Sequence, residues 1–391
     1  MISYMDYAAT SMVRPPRVAE AMTEYLRDCG ATPGRGGHRV AVEAGRVVLR
    51  CRRLVQELLH LPGDPGRVAF AANATQALNT ALFGILAPDD AVVVTRYDHN
   101  AVLRPVAHLA RTLGVEVRLL SGTPDGEVDY DEAERALRGA RVLVVNSASN
   151  VIGTRVPLAP LADRARDAGA LVLVDAAQGA GHIPMRPADE GADLVAFTGH
   201  KGMLGPQGTG GLWVREGIEV GPLIHGGTGG NSMDAEMPAA MPDRLEAGSL
   251  NGPGLAGLAA GLEEVVREGV DGIHARESAL KKRLRDGLMD IPEVRVLTPA
   301  APDGVGIVCI TTPKMDPATM SHRLDREWGV LTRSGLHCAP EAHRVLGTLA
   351  TGTLRLSVGW GSTEEHVDHT LEAVTSVLQG SVRRSPTPPR P

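Results

Sequence analysis

Short apolar runs of strand length alternate with helical patterns through the first two-thirds of the chain. VAFAA (68–72) precedes TQALNTALFGIL, AVVVTR (91–96) precedes AVLRPVAHLARTLG, and RVLVVNS (141–147) precedes PLAPLADRARDAG. VEVRLL, ALVLVDAAQ, ADLVAFTG and GGLWV read as further strands. Runs that are apolar on both faces and separated by amphipathic helices predict an α/β fold, a mostly parallel sheet covered by helices. From about Leu255 one long helical segment leaves this layer as a connector. Beyond it, VGIVCIT, a helix around PATMSHRLDREW, GVLTR, LRLSV and a final helix near TEEHVDHTLEAVTSVL predict a small α+β domain.

The expected division is therefore a large domain over 15–265 and a small one over 266–380. The Pro-rich, charged tail 381–391 is expected to be disordered. The 391 residues, 43% of them hydrophobic, suffice for a large core that splits into two domains. A formal charge of −6 without a long basic run argues against a nucleic-acid partner. No stretch approaches the roughly 18–20 apolar residues of a membrane span. The N-terminal MISYMDYAATS lacks signal-peptide character, so a cytoplasmic protein is expected. Four scattered cysteines form neither a disulfide framework nor a zinc motif, and no metal site is expected. Cys51 falls in a helical pattern and Cys309 in an apolar strand, which suits buried thiols, and Cys29 sits at a helix end before Gly30.

Ligands of open α/β sheets bind beyond the carboxyl ends of the strands, so chemistry is sought in the loops there. Asn73-Ala74-Thr75-Gln76 opens a helix after VAFAA; its free N–H groups suit a phosphate, although taken alone a plain helix cap is the better reading of Asn73 or Thr75. Asp175 ends the run ALVLV, where a buried carboxylate needs a cation or strong donors; a pyridinium nitrogen and backbone amides both qualify. Thr198-Gly199-His200-Lys201 follows ADLVAF and leads into a glycine-dense loop. A desolvated lysine there has a lowered pKa and a free amine for Schiff-base chemistry.

The series Asn-Ala-Thr, Asp-His, Ser-Asn-Val-Ile-Gly-Thr, Asp-Ala-Ala-Gln, Gly-His-Lys, Glu-Ala-Gly-Ser and Arg-Ser-Gly-Leu-His-Cys-Ala resembles the class V aminotransferases, and within them the cysteine desulfurase branch. Each motif is short; seven in the family's order, from Tyr4 to about Leu378, are specific. The resemblance implies the pyridoxal 5′-phosphate (PLP) fold type I of aspartate aminotransferase, with an N-terminal arm, 1–14, joining the small domain. It implies Lys201 as the Schiff-base lysine, Asp175 as partner of the pyridine nitrogen, Gln178 as donor to the ring oxygen, and His99 as the stacking histidine. Ala74, Thr75, Thr198 and His200 match phosphate-binding positions. Ser249 matches a phosphate contact given by the second subunit, which implies a homodimer with shared active sites. Asn150 and Arg355 match residues that hold the substrate amino acid, and Arg333 begins the cysteine loop.

Cys338 discriminates between reactions. Its short basic loop, Arg333-Ser-Gly-Leu-His-Cys-Ala-Pro, suits a nucleophilic thiolate, and resembles the type II (SUF-type and selenocysteine-lyase) branch. The implied reaction takes L-cysteine to L-alanine and leaves a persulfide on Cys338 for a sulfur-acceptor protein. Selenocysteine lyase, C–S lyase or aminotransferase chemistry with Cys338 idle, and a non-catalytic PLP-binding protein are the alternatives. Asp6-Tyr7-Ala8-Ala9-Thr10, Ser147 and the segment Ile224 to Pro238 depart from the family pattern and leave substrate and acceptor open.

Overall fold

The computed structural model describes all residues except 35, 231, 232, 301, 302 and 381–391, so the Pro-rich tail lies outside the described residues. Its largest element is a seven-stranded sheet. The strands run, edge to edge, Val68–Ala71, Gly210–Val214, Leu194–Thr198, Leu171–Asp175, Val142–Asn146, Ala91–Thr95 and Glu116–Leu120. The last five are parallel; Gly210–Val214 is antiparallel to both neighbours.

Alternation along the central strands sends successive side chains to opposite faces. Val92, Val94, Val142 and Val144 pack with Leu78 and Leu82 of the helix Ala74–Ile85, and with Val102 and Leu109 of the helix Asn100–Leu113. Val93, Leu143 and Val145 face the other way. They share a core with Val55 of Arg39–Leu59, Leu161 of Ala159–Asp167 and Leu258 of Gly252–Glu268. Both faces are thus covered, as runs of consecutive apolar residues require. Glu116–Leu120 differs: it is an edge strand whose first two residues are exposed.

A four-stranded antiparallel sheet follows, in the order Arg333–Gly335, Thr353–Ser357, Ile307–Thr311, Arg295–Val296. Leu280 and Leu284 of the helix Val270–Met289, Met320, and Val367 and Val374 of Glu364–Gln379 close over Val308, Ile310, Leu354 and Leu356. Met5 joins the same core, because Ser3–Tyr4 pairs in parallel with Val330–Leu331. The long helical segment is in fact two helices. They break at Gly269, whose φ of +84° and ψ of 129° are outside the helical region. The first of them packs against Arg39–Leu59 and Pro16–Glu24, so it belongs to the large layer, and only the second covers the small sheet.

Candidate active site

The carboxyl ends of neighbouring parallel strands bring Asn146, Asp175 and Thr198 side by side, with Asn146 in register with Asp175. They open onto a cavity of about 210 Å³. Every residue to which the resemblance gives a cofactor, substrate or nucleophile role lines it, with one exception. Ala74 and Thr75 stand at one wall; Asp175, Gln178, Thr198, His200 and Lys201 at another. Arg333, Cys338 and Arg355 come from the small sheet and its loop, Asn150 from the loop after Val142–Asn146, and His99 from the start of the helix Asn100–Leu113. Ser249, the exception, is exposed and borders two separate depressions instead.

Local rules explain the placement. Asn73 caps the helix Ala74–Ile85, its side chain accepting from Gln76 N at 3.0 Å. The cap leaves the N–H groups of Ala74 and Thr75 without intrahelical acceptors, at the positive end of the helix dipole. Gly199 lets the lysine loop fold tightly: a Cβ there would lie 2.2 Å from Thr209 Oγ1. His99 caps its helix through Nδ1, which accepts from Ala101 N at 3.0 Å, leaving the ring otherwise at the cavity wall.

Electrostatics separate the groups. Burial, with Arg355 and Arg333 nearby, lowers the Lys201 amine to about 8, against the opposing pull of Asp175. Burial pushes the Asp175 carboxyl up, while the Ala177 N–H, 2.9 Å from Oδ1, and Lys201 draw it down. Asp98, fully buried behind it, rises to about 7 through burial and the neighbouring Asp175 charge. His99 and His200 are both lowered to about 4, chiefly by burial and then by Lys201, so both rings are neutral at pH 7.

On the small-sheet side, Arg355 is 1% exposed. Its Nη2 pairs with Asp6 at 2.8 Å and its Nη1 donates to Asn150 O at 2.9 Å. The Asn150 side chain does more than face the cavity: Nδ2 donates to His337 O at 2.6 Å, tying it to the cysteine loop. Arg333 Nη2 stands 3.7 Å from Cys338 Sγ. The other thiols are differently placed. Cys51 and Cys309 are buried, and burial pushes Cys309 up to about 11 and Cys51 higher still. Gln178 Nε2 donates to Ala8 O at 3.0 Å, which anchors the N-terminal segment against the lysine wall. Among the described residues no cluster of three His, Cys, Asp or Glu side chains has metal-binding geometry. No described helix is long and apolar enough to cross a membrane.

Four participants were given no role by the sequence. Asp6 belongs to an N-terminal motif, yet its partner Arg355 is 349 residues away. Thr10 Oγ1 contacts His200 Nδ1 at 3.0 Å across 190 residues. Asn146 and His337 look like ordinary members of a strand and a loop. Only the strand register and the loop backbone reveal them.

Residues 3–370 match the family model for class-V aminotransferases. A probable cysteine desulfurase of Pyrococcus abyssi is 33% identical over 388 residues, covering 96% of this chain and 92% of the relative. A cysteine desulfurase of Haloferax volcanii is 31% identical over 391 residues, covering 96% and 89%. Among solved structures, the apo cysteine desulfurase of Thermococcus onnurineus NA1 superimposes with a TM-score of 0.89 at 31% identity, covering 97% and 95% of the two chains. The cysteine desulfurase CsdA of Escherichia coli gives 0.86 at 27% identity, covering 97% and 95%. With a match over nearly its whole length and this fold, the chain belongs to the class-V aminotransferase family.

Proposed function

We propose that this chain is a PLP-dependent cysteine desulfurase that converts L-cysteine to L-alanine and leaves a persulfide on Cys338. One observation carries the reading: the Cys338 thiol, the Lys201 amine and the Arg355 guanidinium share one cavity wall system, while Cys51 and Cys309 are sealed in cores. The relatives' names point the same way.

The residues fit PLP. Asp175 is a buried carboxyl at a strand end, pushed toward protonation by burial, and a cationic ring nitrogen is the partner that holds it ionised. The capped helix start at Ala74 and Thr75, with Thr198 and His200 close by, suits a phosphate. When bound, the cofactor supplies an electron sink that makes the substrate Cα proton labile.

The chain's own groups do the rest. Lys201 Nζ, lowered to about 8, is the covalent anchor and then the base that takes the Cα proton. Arg355 holds the substrate carboxylate, its guanidinium already oriented by Asp6 and Asn150 O. His99, neutral at pH 7 with Nδ1 accepting from Ala101 N, carries its hydrogen on Nε2 and offers it as a donor toward the substrate sulfur. Cys338 Sγ attacks the substrate sulfur: a new S–S bond forms, the Cβ–S bond breaks, and Cβ gains a proton. Sulfur is oxidised as carbon is reduced, so cysteine plus the Cys338 thiol becomes alanine plus the persulfide with no outside oxidant. The persulfide then passes its outer sulfur to an acceptor protein.

Ser249, exposed and away from its own chain's cavity, fits a role at the partner's site in a homodimer. The test of the reading is alanine and sulfide production from cysteine, with and without a reductant. Equimolar alanine and sulfide with reductant supports it; pyruvate and ammonia, or transamination alone, overturn it.

A further inference from the structure

Cys338 sits on an unusual backbone. His337 and Cys338 both have positive φ, 48° and 58°, and neither is glycine. Left-handed backbone is disfavoured for residues with a Cβ, so a consecutive pair persists only where its surroundings hold it. Three anchors do so here. Asn150 Nδ2 donates to His337 O at 2.6 Å, and Asn100 N donates to Cys338 O at 2.7 Å. The third is the His337 side chain. It is 3% exposed, whereas Cys338 beside it is partly open to the cavity.

The ring of His337 is buried beneath its partly open neighbour, among polar side chains. Nε2 lies 3.0 Å from Thr353 Oγ1. The ring lies against that of His343, centroids 5.6 Å apart. Thr353 Oγ1 is itself 2.8 Å from Cys309 Sγ, and Thr353 is paired in register with Gly335 of the strand that starts the loop. The hydroxyl therefore bolts the ring to the strand that also carries Arg355 two residues on. Burial keeps the ring neutral, its pKa lowered to about 2, so this contact does not switch with pH in the working range.

We propose that His337, held through Thr353, is a positioning residue that fixes the left-handed turn presenting the Cys338 thiol to the cavity. It rests on the reading of Cys338 as the sulfur-accepting nucleophile. Without the ring anchor, the strained pair relaxes toward negative φ and the thiol leaves its place beside Arg333.

The test uses the PLP-loaded enzyme and the variants Thr353→Val, Thr353→Ser, His337→Ala and His337→Asn. Thr353→Val keeps shape and removes the hydroxyl; Thr353→Ser restores it. Two rates are read: alkylation of Cys338 by iodoacetamide without substrate, and single-turnover persulfide formation with cysteine, both by peptide mass spectrometry. Thr353→Val and His337→Ala should slow persulfide formation by about tenfold or more, with cysteine affinity and cofactor absorbance unchanged. Their alkylation rates should differ from the parent's, and Thr353→Ser should behave as the parent. His337→Asn, which tolerates the left-handed backbone but cannot reach Thr353, should fall between. Parental alkylation rates in both Thr353→Val and His337→Ala overturn the proposal. The alkylation arm stands even if the parent forms no persulfide, an outcome that defeats the desulfurase reading instead.

Discussion

Arg355 Nη2 lies 2.8 Å from Asp6 Oδ1, so the sixth residue of the chain orients the guanidinium proposed to bind the substrate carboxylate. Arg355 is 1% exposed, and its Nε has no hydrogen-bond partner among the described residues. A buried guanidinium needs its counter-charge, and a fork fixed by Asp6 and Asn150 O meets an incoming carboxylate without reorganising. Asp6→Ala should raise the KM for cysteine by about tenfold, more than it lowers kcat, and should lower the thermal midpoint. Asp6→Asn, which keeps an acceptor, should lose less on both counts. Initial-rate kinetics and thermal unfolding check this; an unchanged KM in Asp6→Ala contradicts it.

Lys201 and Asp175 oppose each other electrostatically. In the chain without cofactor, burial lowers the lysine to about 8 and the Asp175 charge partly restores it. The neutral, reactive amine therefore grows as pH rises through about 8, and the rate of covalent PLP loading should rise with it. The unfolded lysine binds its proton up to its ordinary range, so between about 8 and that range folding stability also rises with pH. Asp175→Asn should make the lysine still less basic, yet lower turnover by about 10²–10³-fold, because the ring nitrogen loses its anionic partner. Stopped-flow loading of the cofactor-free chain across pH measures the first claim; a flat profile rejects it.

Glu246 begins the Glu-Ala-Gly-Ser motif that was read for Ser249, but its own work is structural. Its carboxylate pairs with Arg52 at 2.7 Å, both side chains almost fully buried, and also accepts from Phe70 N. Arg52 lies over the Phe70 ring, 4.7 Å from its centroid. Glu246→Ala strands a buried guanidinium and should destabilise the chain by about 3–5 kcal/mol in denaturant unfolding. A loss below about 1 kcal/mol would contradict that ion pair.

Ser249 offers a test of assembly. It is exposed and borders depressions distinct from its own chain's cavity. If it serves a neighbouring subunit, the enzyme is a two-fold dimer in solution, and Ser249→Ala should weaken PLP retention without moving the dimer equilibrium. Light scattering combined with cofactor dialysis measures both; a fully active monomer rejects shared sites.

Periodicity made the large sheet legible because its central strands are buried on both faces and its helices are amphipathic. Leu194–Thr198 and Val142–Asn146, for example, are buried throughout. The sheet edge was less legible, since Glu116–Leu120 has an apolar run that the edge position leaves half covered. The break at Gly269 was hidden because helical patterns continue on both sides of it. In the site, the residues proposed to touch a ligand sit in short recognisable motifs, and Lys201, Asp175, His99 and Cys338 do converge on one cavity. The residues that orient them do not. Asp6, Thr10 and Thr353 act through side-chain contacts to residues outside their own segment, which leave no local pattern.

The most direct test of the account is the fate of sulfur on the four cysteines. The PLP-loaded enzyme is incubated briefly with L-cysteine, alkylated, digested and weighed peptide by peptide, alongside Cys338→Ala with its cofactor absorbance recorded on the same sample. The account predicts one added sulfur on the Cys338 peptide, none on those of Cys29, Cys51 or Cys309, and loss of nearly all alanine formation in the variant with its absorbance intact. Undiminished alanine formation from cysteine by Cys338→Ala, or added sulfur on another cysteine instead, would contradict it.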